Sequence, residues 1–408
     1  MTQASEATDL AGAAGWLKDA RIIGLVGAAH FVSHVYLIVL PPLFLFIRAD
    51  YGTSYEGLAF AIAAFNIVST MLQPPAGFLV DRMAPATLLV SALALGASGL
   101  ALAALVPSYW ALVAGWAIAG VANTIYHPAD YAILSDRIRS ARISQAFSFH
   151  TFFGMLGTAA TPAAMLFLAD RWGWRGAVLG AAALGYVVAL VLVQQRTALG
   201  EGIAAARMVR RGSKSTAGWS LLLSAPILRN VLFFILLSGA SSGIYGFSIV
   251  ALGALYGTKL AAANLALTAF LFANAAGVLA GGFVAQRVRR HDRVAIAGFG
   301  ASGLAILVVA LVPLGTTPLV LTLALAGFLN GIILPSRDMI VRAVTPPGAF
   351  GTVFGFVSTG FSIAAVIGPL LFGRLMDAHQ PRLIFLLVVA FTFLALPLVR
   401  QKSAAAPG

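Results

Sequence analysis

Seven ionisable side chains interrupt otherwise apolar stretches of this 408-residue chain: His30, His34, His127, Asp130, His150, Arg337 and Asp338. His30 and His34 are four residues apart, and His127, Asp130 and Tyr131 are spaced three and four apart, so on helices each group shares one face. An imidazole changes charge within the physiological pH range, and a carboxylate on the same face can exchange a proton with it. His127, Asp130, His150 and Asp338 are therefore the candidates for carrying protons. His30, His34, Tyr131 and Arg337 are the candidates for touching a solute, and the planar guanidinium of Arg337 suits a carboxylate or phosphonate. The histidines and Asp130 hold metal-ligating atoms, but they lie on three separate apolar stretches with no tight spacing, so no metal is expected. No motif assembles a nucleophile, a base and an oxyanion site, so neither an enzyme nor a cofactor is expected.

The elements that must position these groups follow from composition. Apolar residues make up 60% of the chain, charged residues only 10%, and the mean hydropathy is +0.94; a soluble domain carries roughly a quarter charged residues. The chain belongs in a bilayer. At ~20 to 25 residues per span, twelve spans use roughly 270 residues and leave no room for a soluble domain. The apolar runs exceed the ~10 residues of a barrel strand and lack alternation, which removes an outer-membrane barrel. The absence of cysteine excludes disulfides and thiolate sites. A net charge of +13 in a soluble protein would suggest nucleic acid, but the basic residues are scattered through short loops, so no nucleic-acid partner is expected.

The pattern predicts an all-α membrane protein of twelve helices. A cytoplasmic tail occupies 1–19, a six-helix bundle 20–195, a cytoplasmic linker 196–226, a second six-helix bundle 227–400 and a short tail 401–408. With the N-terminus inside, nineteen Lys and Arg fall on the cytoplasmic side, six on the other, and Arg337 within a span. That asymmetry predicts cytoplasmic termini and an inner-membrane location. Trp110, Trp172 and Trp174 fall at predicted outer ends, Trp16 and Trp219 near inner ones, as interfacial anchors. Lipid contact is expected along the spans and under the basic linker.

The two halves repeat. Tyr51, Gly52 and Thr53 recur at Tyr256, Gly257 and Thr258, and the same offset carries Gly77 to Gly282 and Arg82 to Arg287. A slightly larger offset carries Asn123 to Asn330, Pro128 to Pro335, Pro162 to Pro369 and Asp130 to Arg337. Duplicated membrane halves are characteristic of secondary transporters, whose bundles rock around a site held between them. At ~1.5 Å per residue, His30 lies roughly 15 Å from the inner end of its span and Asp130 about 9 Å from the inner end of its own. These depths predict ligand contact for His30 and an inner gate for Asp130, with Arg337 as its symmetry-related opposite charge.

Between spans 2 and 3 stands GFLVDRMAPATLL, Gly77 to Leu89, and HFVSHVYLIVLPPL, IYHPADYAIL, FSFHTFFG and LPSRDMIVR follow at His30, Ile125, Phe147 and Leu334. With these segments the chain resembles the major facilitator superfamily over all twelve spans, and more narrowly its fosmidomycin-resistance branch. Gly77, Leu79, Asp81 and Arg82 fit the family's loop, while Ala84 to Thr87 replace its usual Gly and basic cluster; relatives often carry an Asp near His34. The resemblance implies a monomeric secondary transporter that exports a small organic compound, coupled to protons, in which Gly77, Asp81 and Arg82 gate together with Asp130 and Arg337. It implies that His30, His34, Tyr245, Asn330 and Arg337 face the solute. Asp81 is expected to meet the N-terminus of span 11 near Gly351. Gly154 and Gly157, ahead of Pro162, faintly resemble an antiporter motif or serve helix packing. The alternatives are an importer of an organic anion clamped by Arg337 and a membrane sensor that retains the fold; buried charges at symmetric positions count against the sensor.

Overall fold

A backbone in hydrocarbon must satisfy its own polar groups, so apolar runs of this length fold as helices. The computed structural model describes residues 2–139, 142–200, 219–288, 290–346 and 350–399, and among these every regular element is helical. In chain order they are α1 (Thr2–Ile38), α2 (Phe44–Tyr51), α3 (Tyr55–Arg82), α4 (Pro85–Leu105), α5 (Tyr109–Arg137), α6 (Ile143–Gln194), α7 (Arg196–Leu199) and α8 (Trp219–Leu222). There follow α9 (Ala225–Tyr256), α10 (Leu260–Arg287), α11 (His291–Leu311), α12 (Thr316–Ala343), α13 (Phe350–Asp377) and α14 (Pro381–Ala395). Much of the linker, 201–218, and the tail 401–408 lie outside the described residues.

Ten of the described helices are long and apolar enough to cross a membrane. One of these, α6, turns at Gly173, whose φ of 67° is left-handed, so it supplies two of the predicted spans. The remaining predicted span is α5, which falls outside the ten and carries the polar residues His127, Asp130 and Asn123. A 3₁₀ turn, Pro41–Leu43, links α1 to α2. The internal repeat reappears in the backbone: Gly52 and Gly257 close α2 and α9 with φ of 62° and 63°, each N–H bonding back into its own helix.

Contacts divide the chain into two compact units, one of Met1–Leu37, Ile67–Thr158 and Arg175–Gly212, the other of Ile38–Asn66, Ala159–Trp174 and Ser213–Gly408. In the first unit Gly99 of α4 and Gly115 of α5 each face the other's carbonyl where a Cβ would stand, and Gly157 of α6 faces the carbonyl of Phe31 on α1. In the second, Gly277 and Gly281 of α10 interlock with Gly327 and Gly331 of α12 against the carbonyls of Phe328, Ile332, Phe270 and Asn274. Small residues at four-residue spacing let two backbones approach this closely. Side-chain amides also join helices at corresponding places in the repeat. Asn123 donates to the Ser69 hydroxyl at 2.8 Å, and Asn274 donates to the Asn330 side-chain oxygen at 3.0 Å.

Three of the expected anchors are exposed, Trp16, Trp110 and Trp172. Trp174 is not: it is 6% exposed, donates its indole N–H to Asp50 at 3.2 Å and packs on the Tyr51 ring. The Gly173 turn swings it inward. The side chain of Asp19 is held by Arg142 at 3.1 Å and Arg139 at 3.5 Å, which sets a common level for the start of the α1 span and the end of α5.

Candidate functional site

Three helices of the first unit, α1, α5 and α6, bring His30, His34, His127, Asp130, Tyr131 and His150 together. The carboxylate of Asp130 is fully buried, as are the His30 and His150 side chains beside it. His150 Nε2 lies 2.9 Å from Asp130 Oδ2 and His30 Nδ1 lies 3.4 Å from the same oxygen. The His30 and His150 rings stack with centroids 3.7 Å apart. Edge-on to His30 stand His34 at 4.6 Å and His127 at 4.8 Å. Tyr131 stacks on His127 and meets His150 at 5.2 Å.

Local sequence features make this packing possible. A Cβ on Gly154 would sit 2.6 Å from His30 Nε2 and 2.8 Å from His34 Nε2, so only glycine leaves room for both rings. One turn later Thr158 donates to the Gly154 carbonyl at 3.2 Å and stands 2.8 Å from His34 Nδ1. The Thr158 hydroxyl thus ties the His34 ring to the α6 backbone at the level of Gly154. Pro128 removes the amide that would bond the Thr124 carbonyl, and Gln73 of α3 reaches that carbonyl at 3.5 Å.

The sequence-based depths are corrected here. Counted from the level at which Asp19 meets Arg139, His30 lies about 16 Å and Asp130 about 13 Å inward, and the two side chains touch. The predicted inner end of the fourth span was too early, since α5 runs to Arg137. The ligand-contact and inner-gate roles assigned to His30 and Asp130 thus fall on one cluster. His127 and Tyr131 form its accessible rim, Tyr131 being 42% exposed, while Asp130 Oδ1 and His150 Nδ1 have no hydrogen-bond partner among the described residues. Oxygen and nitrogen atoms arranged from a buried carboxylate to an exposed rim can pass a proton by short ring movements.

One nitrogen from each of His30, His127 and His150 lies within 4.8 Å of the others. Two ligands on one tetrahedral zinc stand about 3.3 Å apart. The His30 and His150 rings are stacked, and of the two His150 makes the hydrogen bond to Asp130.

The other predicted solute contacts belong to the second unit and are not brought to one point. The Arg337 guanidinium lies 5.0 Å from the Phe234 ring centroid and 5.4 Å from that of Phe361. Tyr245 packs against Phe270, and Asn330 accepts from Asn274. Asp81 and Asp338 lie on α3 and α12, with side chains outside the described residues; Gly77 and Arg82 are on α3. Sequence reasoning missed Thr158, and it gave Gly154 only a packing or motif role; its position one helical turn before Thr158 and opposite two histidines was the available signal.

The family model for the Major Facilitator Superfamily matches residues 26–251 and 231–406. Over 399 residues the chain is 22% identical to the fosmidomycin resistance protein of Escherichia coli (strain K12), covering 94% of each chain. A nucleoside transporter, NupG, has a similar structure (TM-score 0.75, 15% identity, 93% of this chain and 98% of that one). So does a bacterial homologue of the human lysosomal transporter Spinster in an inward-facing, occupied conformation (TM-score 0.75, 13% identity, 94% and 99%). Matched along almost its whole length by the family model, this integral membrane protein belongs to the Major Facilitator Superfamily of membrane transporters and resembles its fosmidomycin-resistance branch.

Proposed function

We propose that the protein exports a small organic compound by alternating access in exchange for protons. The observation that carries this reading is the buried Asp130 carboxylate held by His150 and His30 and opened to the surface by His127 and Tyr131. An ionisable group inside a span costs several kcal/mol unless it serves a pathway, and a carboxylate touched by two imidazoles, with His34 and His127 packed against the His30 ring, is a store for exchangeable protons. The excess of basic residues in one set of loops supports cytoplasmic termini and an inner-membrane location. His34 and Tyr131, at the edges of the cluster, are the contacts through which a solute would sense its protonation.

Purified protein in liposomes, given an imposed pH gradient and a panel of phosphonates, carboxylates and amphipathic cations with fosmidomycin first, tests the reading. At least one compound should accumulate when the gradient is present and fail to accumulate when an ionophore collapses it. Accumulation unaffected by collapse, at zero membrane potential, contradicts proton coupling.

A second reading, import of an organic anion, is favoured by Arg337, a guanidinium within an apolar helix flanked by two aromatic rings. The rings fix the plane of the fork for a two-point contact with an anion. Arg337→Lys keeps the charge and loses the fork, so affinity for an anionic substrate should fall about tenfold or more, read as an increased half-saturation concentration in the same vesicles. Unchanged affinity would remove Arg337 from the binding site.

A further inference from the structure

The first two amide groups of α3 are capped from a distant part of the chain. Tyr55 N–H donates to Asp377 Oδ1 at 2.9 Å and Glu56 N–H donates to Asp377 Oδ2 at 2.8 Å. The third amide, of Gly57, is taken by the neighbouring Ser54 hydroxyl at 2.9 Å. Ser54 alone is a sufficient N-cap for a helix, so the remote carboxylate is not required to start α3. One turn before Asp377, a Cβ on Gly373 would stand 2.9 Å from the Ala59 Cβ and 3.0 Å from the Glu56 Cα, so the end of α13 lies directly on the start of α3. Arg48 stacks over the Tyr55 ring at 4.5 Å and adds a cation–aromatic contact at the same junction. These residues all belong to the second unit.

The two helices are counterparts. Tyr55–Arg82 and Phe350–Asp377 are both 28 residues long, and the start of one rests on the end of the other. Each carries an acid at its C-terminal end, Asp81 in α3 and Asp377 in α13. A carboxylate at a helix N-terminus meets unsatisfied N–H groups and the positive end of the dipole. We propose that Asp377 is an outer latch for the transport cycle, clasping the N-terminus of α3 while the outer ends are together and releasing it when they separate. Asp377 is a positioning residue in this scheme and touches no solute. The inference rests on the alternating-access reading, but it concerns which ends are held together and requires neither a substrate nor a proton gradient to be tested.

The test uses the full-length protein in lipid nanodiscs with spin-label pairs at Gly57 and Gln380 on the outer side and at Arg82 and Arg342 on the inner side. In Asp377→Asn the population with long outer distances should rise about fivefold, the scale of one helix-terminus charge contact, and the inner distances should shorten in the same sample. Asp81→Asn should shift both pairs in the opposite direction. Asp377→Glu should recover part of the wild-type distribution. Unchanged distances in Asp377→Asn, with or without a fall in melting temperature, would overturn the latch and leave Asp377 as an ordinary structural cap. A shift in distances in a protein that moves no compound of the panel would leave the latch standing and count against proton-coupled export of those compounds.

Discussion

Asp130→Asn is expected to reduce pH-driven accumulation in vesicles at least tenfold while substrate exchange across the same membrane continues. The substitution preserves the size of the side chain and removes its negative charge. In the wild-type cluster one carboxylate oxygen serves both His150 and His30, and their rings stack. With the charge gone, a proton arriving at either imidazole has no counter-ion, and a bare positive charge in this buried position is disfavoured. The load step that ties proton entry to solute exit is lost, but the helices remain free to rock. Loss of exchange together with accumulation would instead indicate that Asp130 supports the fold or the binding site, and retention of accumulation would place the coupling elsewhere.

The second large effect is expected at His150. The ring supplies the shortest contact to a carboxylate with no exposure, 2.9 Å from Nε2 to Oδ2. His150→Ala leaves that carboxylate with the His30 ring, at 3.4 Å, as its nearest remaining polar neighbour. Removing one member of a buried pair costs about 3 to 5 kcal/mol when the other stays ionised, so the melting temperature in detergent should fall clearly. His150→Gln, which keeps a donor of similar reach, should restore most of it without restoring pH-driven transport. A loss in His150→Ala below about 1 kcal/mol would mean that Asp130 is held as a neutral, hydrogen-bonded acid.

The sequence made the membrane class, the repeat and the identity of the polar residues legible, because each follows from counting along the chain. The Tyr-Gly-Thr repeat predicted equivalent helix ends, and Gly52 and Gly257 close their helices with the same left-handed turn. The spacing of His127, Asp130 and Tyr131 predicted a shared face, and Tyr131 does stack on His127. What spacing does not carry is register between helices. Whether His150 of α6 lies beside Asp130 of α5 depends on glycine-mediated contacts such as Gly157 against Phe31, which set how far one helix slides along another. For the same reason two depths counted from separately judged span ends put His30 and Asp130 at different levels, although their side chains touch. The clasp of α3 by Asp377 was hidden for another reason: its partners are backbone amides, which every residue type but proline supplies, so nothing in the sequence marks them.

The central claim is that protons cross in exchange for the solute through the Asp130 cluster. It is tested most directly by loading vesicles with the compound that passes the panel, at equal pH on both sides and with the membrane potential clamped at zero, and following an internal pH-sensitive dye as the compound leaves. The wild-type protein should acidify the interior in a fixed ratio to the compound released, and Asp130→Asn should release compound with no change in the dye. Release by the wild type with an unchanged internal pH would contradict the account.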